Sequence, residues 1–250
     1  MFIDTHCHLS REDYDDIDLV IKENREAGVN KIIISGCSKD WIDESLEISN
    51  KYKDVFVTLG YHPSEVGYVD SHLLELLREK LKGEKVVGLG EIGLDYYYGK
   101  ENIKQQIDLF EKQLSIAEEM GLTVVIHSRD ATEDTIKCLK KYNVTGVIHC
   151  FSGSVETAKI YVNMGYKLGI GGVITFKNSK LSEVVKEVGL ENIVLETDSP
   201  YLTPTPFRGQ KNSSKYIPLI AEHIANILDT SVQNVADITT NNACNLFDLN

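Results

Sequence analysis

The sequence predicts a (β/α)8 barrel, an α/β fold of the TIM-barrel type, as one domain over residues 1–250. Three observations carry this. Eight short apolar runs recur along the chain, at residues 2–7, 31–37, 55–60, 86–92, 123–127, 146–150, 166–171 and 193–197. They are continuous and rich in Val and Ile, as parallel strands buried on both faces require. Longer segments of helical period fill the gaps, and 250 residues are enough for eight β–α units. A doubly wound open sheet is the alternative fold. It needs a topological switch point, and no Gly-rich dinucleotide fingerprint marks one.

The helical segments have legible ends. Residues 12–27 carry Ile17, Val20, Ile21 and Ala27 and stop at Gly28. Residues 103–120 carry Ile107, Phe110, Leu114 and Ala117 and stop at Gly121. Residues 154–164 open on a capping Ser154 and stop at Gly165. Glycine just past a helix fits a left-handed C-cap. The tail, roughly 231–247, reads as one or two short extra helices. No linker, charge block or low-complexity stretch divides the chain.

A formal net charge of −12 argues against broad electrostatic attraction to nucleic acid or membrane surfaces. The five cysteines have no framework-like spacing and no signal peptide precedes them, so a reduced, cytoplasmic protein is expected. No apolar run approaches the roughly 20 residues of a membrane span, and no obligate protein partner is evident.

The polar residues fall in a pattern. His6 and His8 end the first run, and residues two apart in a strand share a face. Their rings therefore point one way, while Cys7 points the other and reads as packing. His62 follows the third run, Glu91 ends the fourth, His127 the fifth, His149 the sixth and Asp198 the eighth. Five of the seven histidines thus stand at the carboxyl ends of strands, where barrel active sites are built. His72 and His223 fall in helical segments, where a solvated role fits better. Singly, each rim residue could be a satisfied core group. Burying all of them without an ion would be costly. Four histidines and two carboxylates suit two divalent ions with one carboxylate shared. Imidazole favours zinc, manganese, iron, cobalt or nickel, and oxygen ligands with water leave magnesium open. Two ions about 3.5–4 Å apart can activate water and clamp an in-line displacement. Two carboxylates offset only half the charge of two such ions, so an anionic substrate can be drawn to the site.

The motifs resemble the TatD-type metal-dependent deoxyribonucleases, a branch of the amidohydrolase-like barrels. The matching stretches begin Asp4-Thr5-His6-Cys7-His8-Leu9, Gly60-Tyr61-His62-Pro63 and Gly90-Glu91-Ile92-Gly93-Leu94-Asp95-Tyr96. They continue through His127-Ser128-Arg129-Asp130-Ala131, His149-Cys150-Phe151-Ser152-Gly153, Gly171-Gly172-Val173-Ile174-Thr175-Phe176 and Glu196-Thr197-Asp198-Ser199-Pro200-Tyr201-Leu202. Arg208-Gly209 and Asn212 follow. The resemblance implies His6, His8 and Asp198 on one metal, His127 and His149 on the other, and Glu91 bridging. It implies magnesium- or manganese-dependent cleavage of DNA phosphodiesters, as a 3′-to-5′ exonuclease acting on single-stranded or end-bound DNA. One departure is visible: Ser213-Ser214 stands where the family carries a proline, which leaves the entry to the last barrel helix open.

His62 matches a family active-site position and could protonate the leaving oxygen, hold the phosphate, or simply pack beside Pro63. Arg129 and Arg208 could clamp phosphate through their planar forks. Their alternatives are a structural pair with Asp130 or Asp95 for Arg129, and a solvated loop charge for Arg208. Tyr96, Tyr97 and Tyr98 could stack an unpaired base or pack under their loop. Asp95 reads as an orienting group behind a ligand or an Arg. An amide or ester hydrolase of the deacylase kind, on the same binuclear centre, is the alternative function, because fold and metals do not choose the substrate.

Overall fold

The structure is a computed structural model, and it describes residues 1–97 and 100–249. Among these residues eight strands alternate with helices: β1 Phe2–Cys7, β2 Val29–Gly36, β3 Val55–Leu59, β4 Val86–Asp95, β5 Val124–Arg129, β6 Gly146–Ile148, β7 Lys167–Ile170 and β8 Ile193–Leu195. They form one sheet in sequence order, and the fold is a nearly closed parallel (β/α)8 barrel. The carboxyl ends of β1 and β8 are tied by backbone bonds. Thr197 and Asp198 both donate N–H to the His6 carbonyl, at 3.4 and 3.0 Å. The Thr5 hydroxyl adds a bond to the Leu195 carbonyl at 3.0 Å.

The chain groups into two compact units, Met1–Ile34 with His149–Asn250, and Ser35–Ile148. In the first, the strand residues Ile32, Ile33, Leu168, Ile170, Ile193 and Val194 are buried. In the second, Val57, Leu59, Leu89, Ile92, Leu94, Val124 and Ile126 are buried. Burial on both faces explains why the strands read as unbroken apolar runs.

The helices are α1 Ile17–Glu26, α2 Lys39–Lys51, α3 Ser71–Lys80, α4 Ile103–Met120, α5 Thr132–Leu139, α6 Val155–Asn163, α7 Leu181–Val188, α8 Ile217–Leu228 and α9 Val232–Phe247. Side chains of Asp16, Ser38, Asp70, Ser154 and Ser231 each accept an N–H in the first turn of the helix they open. Gly28, Gly121 and Gly165 follow α1, α4 and α6 with φ of 83, 66 and 89°, the left-handed ends expected from the sequence. The tail forms a single helix, α9. Ser214 begins a short 3-10 turn, Ser214–Tyr216, that leads into α8. No helix among the described residues is long and apolar enough to cross a membrane.

β6 and β8 end two residues earlier than the sequence implies. β6 stops at Ile148 and β8 at Leu195, so His149 and Asp198 lie in the turns beyond. Just beyond these ends Cys150 and Asp198 take φ of 46 and 54°, left-handed conformations that leave the strand. β4 runs longer than expected, to Asp95. It does so against β5 at very close range. Gly93 has φ of 148°, and a Cβ there would stand 1.9 Å from the His127 carbonyl oxygen. Gly93→Ala is therefore expected to destabilise the protein by about 1–3 kcal/mol or more. Gly67→Ala, where a Cβ meets nothing within 4 Å, should stay within about 0.5 kcal/mol. Urea unfolding midpoints of the two variants check this, and equal midpoints would contradict it.

Candidate metal centre

The first unit gathers His6, His8, His149 and Asp198. β1 delivers His6, and His8 stands one residue past its end. Their rings share a face, as the alternation required: His6 Nε2 and His8 Nε2 are 3.4 Å apart. Cys7 is buried the opposite way, its Sγ 3.5 Å from the Ile33 carbonyl. Asp198 is brought to the pair by its bond to the His6 carbonyl and by the His8 N–H bond to the Ser199 carbonyl, 2.7 Å. Asp198 Oδ1 lies 3.6 Å from His6 Nε2 and 3.4 Å from His8 Nε2. The His149 ring stacks on His6 with centroids 4.1 Å apart. His6, His149 and Asp198 each offer a ligand atom within 4.8 Å of the others.

This donor set fits an ion. Ligands about 2.1 Å from a tetrahedrally held cation stand about 3.4 Å apart, which is the size of the His6–His8–Asp198 triangle. The chemistry agrees, since two imidazole nitrogens and a carboxylate oxygen are zinc- and manganese-type ligands. Burial pushes the Asp198 carboxyl up. The His8 hydrogen bond and the imidazoles of His149, His8 and His6 outweigh that and hold it below the usual carboxylate range.

The second unit gathers His62, Glu91, Asp95 and His127. β4 carries Glu91 and Asp95, and β5 carries His127. His127 Nδ1 lies 2.8 Å from Glu91 Oε1, and its Nε2 lies 3.1 Å from Asp95 Oδ2. A ring that donates from Nε2 to Asp95 leaves the Nδ1 lone pair facing Glu91, a carboxylate–histidine pairing typical of metal ligands. Burial pushes the Asp95 carboxyl up, but bonds from His127 and the Tyr97 N–H, with the charges of His127 and Arg129, hold it below its ordinary value. His62 follows β3. Its Nδ1 accepts the Ser64 N–H at 3.1 Å, so in the neutral ring the proton sits on Nε2, 3.8 Å from Glu91 Oε1. Its ring meets His127 edge-on at 4.6 Å.

Other residues singled out from the sequence are placed as follows. The Arg129 guanidinium lies 3.6 Å over the Tyr97 ring, an exposed aromatic stack. Arg208 donates to the Thr203 carbonyl at 3.0 Å and lies over the Phe176 ring at 4.0 Å. Tyr96 is buried and its hydroxyl donates to Asp134, so it packs under the loop. Tyr98 lies outside the described residues. His72 is exposed in α3 and His223 half-buried in α8.

Two buried carboxylates escaped the sequence reading as site residues. Asp4 is wholly buried and accepts the Thr197 N–H at 3.0 Å and its hydroxyl at 2.5 Å. Burial pushes its carboxyl up to about 7, against the opposing hydrogen bonds. Glu196 is also wholly buried and accepts the Cys150 N–H at 2.6 Å. The available signal was their spacing, each two residues before a rim ligand at the end of an apolar run.

If the triangle holds an ion, the ion must stabilise the folded chain. Chelator-treated protein given Mn²⁺ or Zn²⁺ at a hundred times its Kd should gain about 2.7 kcal/mol per site. His8→Ala should lose most of the gain contributed by its site. Thermal unfolding with and without ion tests this, and an unmoved midpoint in the parent protein would rule the site out.

Comparison with known proteins places the chain. The TatD related DNase family model matches residues 3–248. The chain is 39% identical to the uncharacterized metal-dependent hydrolase YabD of Bacillus subtilis, over 100% of both chains. The crystal structure of YjjV, a TatD homologue from Escherichia coli, superposes with a TM-score of 0.92 at 31% identity, covering 100% of this chain and 98% of that one. An uncharacterized amidohydrolase from Saccharomyces cerevisiae shares the fold, with a TM-score of 0.82 at 17% identity over 98% of this chain and 99% of that one. The chain belongs to the TatD-related DNase family of metal-dependent hydrolases.

Proposed function

We propose that the protein is a deoxyribonuclease that hydrolyses DNA phosphodiester bonds, working as a 3′-to-5′ exonuclease on single-stranded DNA. The observation that carries the reading is the ion-sized triangle of His6, His8 and Asp198 in a chain of the TatD-related DNase family. In this reading His6, His8 and Asp198 hold one divalent ion, His127 and His149 hold a second, and Glu91 is shared. Magnesium or manganese serves in function, and the imidazole-rich set also accepts zinc, nickel, cobalt or iron. When bound, such a pair of ions acidifies water near neutral pH and neutralises charge on the phosphate.

The side chains then have distinct tasks. Asp198, held below the usual carboxylate range, is ionised at neutral pH and can take the proton of the attacking water. The water oxygen bonds to phosphorus as the phosphorus–oxygen bond to the departing nucleotide breaks. His62 acts as an imidazolium, its Nδ1–H held by the Ser64 hydroxyl at 2.8 Å, and gives its Nε2 proton to the leaving oxygen, which leaves a neutral ring. Arg129 and Arg208 reach for phosphate oxygens from guanidinium groups already braced on aromatic rings, which reduces the entropy lost on binding. With a net charge of −12, affinity must come from these few contacts and the ions.

The test is an assay of metal-reconstituted protein on 5′-end-labelled single-stranded DNA. The expected result is a ladder shortening from the 3′ end in Mg²⁺ or Mn²⁺. Asp198→Asn should retain much of its metal and lose on the order of 10²–10⁴ in kcat. Intact DNA beside ready hydrolysis of amide or ester substrates would overturn the nuclease reading in favour of a deacylase. A near-parental rate for Asp198→Asn with both ions bound would reduce Asp198 to a ligand and make His62 the first candidate for the proton.

A further inference from the structure

We infer that Glu196 is a positioning residue for His149: its buried carboxylate orients the imidazole with the proton on Nδ1, so that Nε2 is the atom presented to an ion. The inference rests on the reading of His149 as a metal ligand.

Glu196 follows β8 and is completely shielded from solvent. Its Oε1 accepts the Cys150 N–H at 2.6 Å and lies 3.8 Å from His149 Nδ1. Its Oε2 is buried with no hydrogen-bond partner. A carboxylate so placed is costly unless donors surround it. The fold has nevertheless cleared space for it. Gly169 in β7 stands where a Cβ would come 2.1 Å from Oε2 and 2.7 Å from Cδ. Cys150, with φ of 46°, is bent out of the strand conformation beside the carboxylate to which it donates. A gap of 3.8 Å is longer than a hydrogen bond, so the ring must shift toward Glu196 for the bond to form. Because Nδ1 lies on the Glu196 side of the ring, Nε2 points away from that carboxylate. Histidines that ligate metals commonly donate their other ring N–H to a carboxylate. Asp95 stands in that relation to His127 in the other unit, 3.1 Å from Nε2. The competing account is purely structural: Glu196 only fastens the turn after β6 through Cys150.

Two measurements on the full-length protein separate these accounts. In Zn²⁺-loaded protein with ¹⁵N-labelled histidine, imidazole NMR should show the His149 proton on Nδ1 and the metal on Nε2, with the resonance assigned by its loss in His149→Ala. The reverse tautomer overturns the inference. Glu196→Gln keeps an acceptor for the Cys150 N–H but removes the charge facing the ring. Calorimetric titration with Co²⁺ should show affinity reduced about 10–100-fold at one ion, with no fall in the thermal midpoint of the metal-free protein. Parental affinity for both ions in Glu196→Gln, while His149→Ala loses one, overturns the inference alone. Parental binding by His149→Ala overturns the ligand reading of His149, and this inference with it.

Discussion

Asp198 Oδ1 sits 3.4–3.6 Å from two imidazole nitrogens whose rings are almost wholly shielded from water. Lone pairs and a carboxylate do not crowd together in a low-dielectric setting without a positive charge to hold them. Protons can supply some of that charge, and a divalent ion supplies it more completely. Much of the surrounding architecture follows from this requirement. The bonds from Thr197 and Asp198 to the His6 carbonyl fix the spacing of the donors through the backbone rather than through flexible side chains. Asp4 reinforces the same junction by receiving the Thr197 N–H and hydroxyl.

The backbone accepts unusual conformations to serve these side chains. Cys150 and Asp198 are non-glycine residues in left-handed conformations, and each adjoins or is a proposed ligand. Such conformations persist where the surrounding structure over-determines them. Glycine does related work where strands must approach closely. Gly93 lets β4 run against β5 beside His127, and Gly169 leaves room for the Glu196 carboxylate. Stability and site geometry are therefore coupled at the same few residues, and a methyl group added at either glycine would disturb both.

The barrel was legible because its strands are buried on both faces. Unbroken runs such as Ile32-Ile33-Ile34 and Val124-Val125-Ile126 have no other ready explanation at that length and spacing. Helix ends were legible where capping chemistry is local, at Ser154 and Gly121 for example. The shared face of His6 and His8 followed from strand alternation. The ends of β6 and β8 were less legible, because a left-handed Cys150 or Asp198 is set by tertiary contacts rather than by residue type. The same holds for Glu196. A glutamate in Leu195-Glu196-Thr197 looks like a solvated strand end, and only the Gly169 space across the sheet shows that it is buried. Tyr96 could not be assigned from sequence because a rim aromatic is equally suited to stacking a base or to packing, and here its hydroxyl is tied to Asp134.

The proposed function requires a pair of divalent ions that share Glu91. Electron paramagnetic resonance of the chelated protein titrated with Mn²⁺ tests it most directly. Two ions about 3.5–4 Å apart and joined by Glu91 should give an exchange-coupled multiline spectrum as the second equivalent binds. Glu91→Gln should weaken that coupling. A spectrum that stays that of magnetically isolated Mn²⁺ through two bound equivalents would contradict the account.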